Sequence, residues 1–294
     1  MSDRASAPAP AIRPEFERAP ARVAEIGEIH LPLSLWERLS NVTAFRRALI
    51  LIGLAAVWQA YTVPLDNPLI FPTFTETAAA FWKVLVKGGL LQKAWTSIQV
   101  LLVGYGAGVA LAAVLTTLAV STRIGNDLLS TLTSMFNPLP AIALLPLALL
   151  WFGIGTPSIV FVLIHAVLWP MSLNAHSGFL AVSQTLRMTG RNYGLAGVRY
   201  VGNILIPAAF PSILAGLKIS WAFAWRTLIA AELVFGVSSG SGGLGWFIFE
   251  NKNELEIPNV FAGLGTVIII GLVVENVVFR TIEDRTVRKW GMQH

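Results

Sequence analysis

The chain has 294 residues, 55% of them hydrophobic and 13% charged, with a mean hydropathy of +0.67. Soluble domains carry roughly 25% charged residues, so a water-soluble fold of this length is excluded by the apolar surface it would have to bury, and an integral membrane protein is indicated. The formal net charge of +5 fits basic cytoplasmic loops rather than nucleic-acid binding, and the absence of cysteine excludes disulfides and thiolate metal sites.

Residues 1–30 differ in kind from the rest. Pro8, Pro10, Pro14 and Pro20 interrupt any helix there, and Arg, Glu and Ala fill the gaps. No apolar core with a cleavage site follows the start, so this stretch reads as a disordered cytoplasmic tail. Residues 31–44 alternate apolar and polar positions around Trp36, Glu37 and Arg38, which fits a helix lying in the membrane interface. Residues 45–290 read as the membrane domain. A spanning helix needs about 20 mostly apolar residues, and about six candidates follow. They cover 46–63, 95–120, 128–152, 157–180, 207–237 and 260–282, and 75–86 reads as a helix on the outer surface. The expected class is an all-α polytopic membrane protein.

Glycine and proline inside these stretches carry meaning. Gly104 and Gly108 in the second span form a small-xxx-small pair that lets helix backbones approach closely. Pro138, Pro140 and Pro146 in the third span each remove a backbone donor and bend the helix. Freed carbonyls must be buried in protein or face water, so this span is expected inside the bundle, with Pro138 and Pro140 as candidate pathway-lining residues.

Between the fourth and fifth spans lies a polar segment, 184–206, with Arg187, Arg191 and Arg199 and no acidic residue. Arg187 and Arg191 are four apart and share one helix face, while Val182, Leu186 and Tyr193 are spaced to share another. Gly194 suits a helix end needing a positive φ, and Pro207 suits the first turn of the next span. A docking handle for a soluble partner and an ordinary basic inner loop are both open readings of this segment.

Four charged residues fall within spans: Lys218, Arg226, Glu232 and Glu275. Such groups normally face protein or water and have partners. Arg226 reads either as an anion contact in a pathway or as half of an interhelical clamp, with Glu275 as a possible partner. Trp221 and Trp225 share a face of the fifth span and could line a pathway with Phe223, or pack in the core. Trp36, Trp95, Trp151, Trp169, Trp246 and Trp290 lie near span boundaries, where headgroup anchoring explains them. His165 and His176 lack further ligands for a metal site. The glycine-rich run 238–245 has no phosphate-loop lysine, and it reads as a flexible lead into an outer re-entrant or surface helix.

Basic residues set the orientation. With both termini in the cytoplasm, the inner side holds Arg38, Arg46, Arg47, Arg123, Arg187, Arg191, Arg199, Arg280, Arg285, Arg288 and Lys289; the outer side holds Lys83, Lys87, Lys93 and Lys252.

The spacing Gly194, Ile204, Pro207 resembles the cytoplasmic loop signature of permease subunits in binding-protein-dependent ABC importers. That signature commonly reads Glu-Ala-Ala, three residues, Gly, nine residues, Ile, any residue, Leu-Pro. Here Met188-Thr189-Gly190 stands at the Glu-Ala-Ala position and Ile206 replaces the Leu. Asn137-Pro138-Leu139-Pro140-Ala141, Leu145-Pro146-Leu147, Trp151-Phe152-Gly153, the run from Ile206 to Ile213 with Gly216, and the run from Trp225 to Glu232 are similar to the nitrate, sulfonate, taurine and bicarbonate permease branch.

The resemblance implies a type I importer permease fold and a non-catalytic membrane subunit. It implies a second permease copy, two cytoplasmic ATPase subunits that carry the ATP and Mg, and a periplasmic substrate-binding protein. No cofactor is expected on this chain. Coupling to the ATPases falls to Arg187, Met188, Gly190, Arg191, Tyr193, Gly194, Leu195, Ile204 and Pro207. Trp225, Arg226 and Glu232 join Pro138 and Pro140 as candidate translocation residues, Glu232 with an architectural or gating role. The implied cargo is a small anion, nitrate or an organic sulfonate such as taurine, and the implied location is the bacterial inner membrane. An ion channel or a membrane scaffold without an ATPase is the alternative.

Overall fold

The computed structural model describes residues 41–235 and 242–289, so the predicted tail, most of the predicted interfacial helix and part of the glycine-rich run lie outside the described residues. The chain divides into two units, Met1–Leu54 and Ala55–His294. The described part of the first is a largely apolar helical stretch whose charged residues are Arg46 and Arg47.

Among the described residues every regular element is helical. Helix α1 is Thr43–Thr62, α2 Phe74–Val86, α3 Leu90–Ser121, α4 Arg123–Phe136, α5 Leu145–Phe152 and α6 Thr156–Leu180. They are followed by α7 Gln184–Asn192, α8 Gly197–Tyr200, α9 Ile206–Phe235, α10 Leu244–Asn253, α11 Ile257–Val273 and α12 Arg280–Glu283. Among the described residues, five helical stretches are long and apolar enough to cross a membrane, and one bent pair brings the number to six.

Local chemistry sets several of these boundaries. Thr73 Oγ1 accepts from the Glu76 amide at 3.2 Å, and Glu76 Oε2 accepts from the Thr73 amide at 2.8 Å, a reciprocal cap that starts α2. Thr122 Oγ1 accepts from the Gly125 amide at 2.9 Å and starts α4.

In the second unit, α3, α6 and α9 form the packed centre, where Leu101, Val162, Leu163, Val167, Ala224 and Leu228 are buried. The approach of α3 to α6 depends on missing side chains. A Cβ at Gly104 would lie 2.6 Å from Leu163 Cβ, and one at Gly108 would lie 2.6 Å from Val167 Cβ.

Three span expectations are corrected. The third span is not one helix: α4 and the run 141–152 meet at 87°, because Pro138 and Pro140 remove donors within three residues of each other and the chain turns through 137–140. The fifth does not begin at Pro207. Helix resumes at Gly197 and passes through a π-type stretch, Val201–Leu205, closed by Ile206 N donating to Val201 O, before α9. Such a wide turn next to Pro207 absorbs the donor that proline lacks. The sixth continues past 282 through wide turns at Val274–Phe279 and Asp284–Arg288.

Candidate functional site

The segment between α6 and α9 is held from three sides. Ser183 Oγ caps α7 by accepting from the Leu186 amide at 3.3 Å. Arg187 reaches back: its Nε donates to Val182 O at 3.1 Å and its Nη2 to Phe179 O at 2.7 Å. The guanidinium thus caps carbonyls at and just beyond the end of α6, one of which, Phe179 O, also accepts from the Val182 amide at 3.4 Å. Gly190 is buried, and a Cβ there would lie 2.9 Å from the Tyr200 ring and 3.0 Å from Ile204 Cγ1, so α7 lies directly on the following helical segment. Gly194 has φ +73°. Its amide donates to Arg191 O at 2.9 Å and the Leu195 amide to Gly190 O at 3.1 Å, the paired bonds of a left-handed helix stop. Val182, Leu205 and Ala209 form a small core beneath it.

Met188, Arg191 and Tyr193 face outward, the last 82% exposed, as do Gln184, Thr185, Leu186, Thr189 and Asn192. Met188 and Arg191 also line an open groove of about 540 Å³ with Leu180, Val182, Gln184 and Arg187. The predicted common face of Val182, Leu186 and Tyr193 does not form, because Val182 precedes the helix and packs inward. Pro207 sits at the second position of α9, above that small core.

The break between α4 and α5 borders a cavity of about 300 Å³ lined by Pro138, Leu139, Pro140, His165, Trp169, Phe223 and Thr227, among others. Arg226 is exposed beside this cavity: its Cζ lies 5.3 Å from the centroid of Phe223, and its Nε donates to Ala222 O at 3.0 Å. Among the described residues no ion pair joins it to Glu275. Lys218 pairs instead with Glu283 at 2.6 Å.

Two candidates lie away from the cavity. Trp225 is buried in the core with its Nε1 donating to Val267 O at 3.3 Å, so it joins α9 to α11. Glu232 is 3% exposed and caps α10: Gly245 N donates to its Oε2 at 2.9 Å, and Ser97 Oγ lies 2.8 Å from both carboxylate oxygens. Leu244 N in turn donates to Ser97 Oγ at 2.8 Å. A carboxylate at a helix N-terminus is electrostatically favourable, and this one ties α3, α9 and α10 together. Near it, Lys93 lies 3.9 Å from Glu250. Trp169, expected at a membrane boundary, is buried and stacks on Phe136 at 5.3 Å.

The sequence reading missed Ser97, Thr227 and Phe136. A lone serine, threonine or phenylalanine in an apolar helix has no spacing signal, and only the fold shows what each one meets.

Residues 104–291 match the family described as binding-protein-dependent transport system inner membrane component. The chain is similar to a putative ABC transporter permease of Methanocaldococcus jannaschii, 30% identical over 233 residues, covering 78% of this chain and 86% of that one. It is similar to a putative aliphatic sulfonates transport permease of Escherichia coli, 29% identical over 221 residues, covering 75% and 82%. A nitrate import permease of Synechocystis sp. is 31% identical over 187 residues, covering 64% and 66%.

Proposed function

The chain belongs to the family of binding-protein-dependent transport inner membrane components, and from that premise we propose that it is the membrane subunit of an ATP-driven importer for a small oxyanion, nitrate or an organic sulfonate such as taurine. Relatives named for sulfonate and nitrate transport support the cargo class. Two copies enclose the route, a binding protein delivers cargo from outside, and two cytoplasmic ATPase subunits, which carry the ATP and Mg, bind the inner face. Both termini lie in the cytoplasm and the membrane is the bacterial inner membrane.

The observation that carries this reading is the braced segment at α7. Its outward residues, Met188, Arg191, Tyr193 and the Gly194 turn, form a contact surface, while Arg187, Gly190, Ile204 and Leu205 fasten it to α6 and α9. A force applied to the surface is carried into two spans of the packed centre. Arg226 supports the paired arrangement. A charge facing lipid at mid-membrane costs about 2.5–3.5 kcal/mol on insertion scales, and a water-filled route between two copies removes that cost.

The test is reconstitution with the ATPase and binding protein. Gly194→Val places a β-branched residue at φ +73°, where it is strained. Uptake is expected to fall at least about tenfold, equivalent to roughly 1.4 kcal/mol, while ATP hydrolysis continues. Normal uptake by this variant counts against the coupling role.

A further inference from the structure

Helix α6 carries polar groups that the fold leaves without hydrogen-bond partners. His165 Nδ1 and Nε2, Trp169 Nε1, Ser172 Oγ and His176 Nε2 are all buried, and none has a partner among the described residues. These positions are spaced four, three and four apart and form one stripe over three turns. The other orphaned groups are scattered: Thr77 on α2, Thr116 on α3, Thr133 on α4, Tyr200 on α8 and Trp221 on α9. Leu163, Val167, Met171 and Asn174, on the opposite face of α6, meet the glycines of α3 and α9. The stripe therefore looks away from the packed centre. Its upper end, His165 and Trp169, borders the cavity at the helix break. The last residue of α4, Phe136, covers that end, stacked on Trp169 and edge-on to His165 at 6.2 Å.

Orphaned buried polar groups are costly, and a packed helix interface has no need of them. An indole N–H can only donate, and hydroxyl and imidazole groups can donate as well. A sulfonate or nitrate offers acceptors only. Donors without positive charge bind such an ion weakly enough to release it, which passage requires. Resting on the importer reading above, we propose that the α6 stripe His165–Trp169–Ser172–His176 is the wall that hydrogen-bonds the oxyanion in transit, exposed when Phe136 and the end of α4 move off it.

The test uses the whole importer, with its ATPase and binding protein, in proteoliposomes supplied with taurine or nitrate. Trp169→Phe removes one donor and keeps the stack on Phe136; Ser172→Ala removes one hydroxyl. Each is expected to lower uptake at least about tenfold while hydrolysis stimulated by the binding protein persists. The chain has no cysteine, so a Ser172→Cys variant reports access to this position by an anionic methanethiosulfonate reagent. Labelling is expected to rise during ATP turnover, a readout that decides the matter even where Trp169→Phe does not assemble. Parent-like uptake by Ser172→Ala and Trp169→Phe, or no labelling of Ser172→Cys in any nucleotide state, overturns the proposal while the importer reading stands. A parent assembly that imports neither ion overturns both.

Discussion

The carboxylate of Glu232 stays inside an apolar bundle because donors converge on it: the Ser97 hydroxyl and the Gly245 amide, with Leu244 N held on Ser97 in turn. Removing the carboxylate strands those donors, and a buried unsatisfied donor costs about 1–3 kcal/mol. A double-mutant cycle of Ser97→Ala and Glu232→Gln, read by thermal unfolding in detergent, is expected to show coupling of about 1–3 kcal/mol; additivity would refute the clamp. The charge in a span was visible in the sequence, but its partners were not, since Ser97 lies 135 residues away and the Gly245 amide, 13 residues away, is a backbone group with no side-chain signal. Arg187 has a similar history. Its spacing put it on one face with Arg191, yet the turn at 181–183 brings the carbonyls of Phe179 and Val182 within its reach. Arg187→Met keeps much of the aliphatic stem and loses the cap. It is expected to reduce uptake more than ATP hydrolysis in the reconstituted importer, and equal losses would argue that the two helices are not fastened through this side chain.

Helix contacts obey the same local rules over longer distances. The small pair Gly104 and Gly108 was legible because its spacing repeats on one face, and both glycines receive side chains of α6. Gly106, two positions from either, has nothing within 4 Å of its missing Cβ. Gly104→Val is therefore expected to cost about 1–3 kcal/mol through overpacking, whereas Gly106→Ala is expected to be neutral or to stabilise by up to about 1 kcal/mol. Loss of assembly with both variants would contradict the α3–α6 contact. The broken third span was only partly legible. Three prolines announced a bend, but an 87° turn that borders a cavity depends on what α6 and α9 place against it.

At the scale of the whole chain, the number and order of spans were readable because lipid thickness sets a length that composition alone can reveal. The helix starts were less readable where a wide turn lets a span begin upstream of its proline, as at Gly197. Orientation gives a direct test in a chain free of cysteine. An Arg191→Cys variant is expected to react with impermeant thiol reagents only from the cytoplasm, and a Lys252→Cys variant only from outside; the reverse pattern would invert the topology. The wide turn at Val201–Leu205 has one more consequence. A π-type turn holds a residue more than an α-turn, so deleting a single position there should restore regular winding. A π turn and an α turn each close one revolution, so that deletion would leave the upstream turns close to their present phase, whereas the same deletion in the regular part of α9 would rotate everything upstream by roughly 100° and draw it in by about 1.5 Å. The wide turn is thus a buffer for chain length: it takes up one surplus residue without changing the compass bearing at which Met188, Arg191 and Tyr193 are presented.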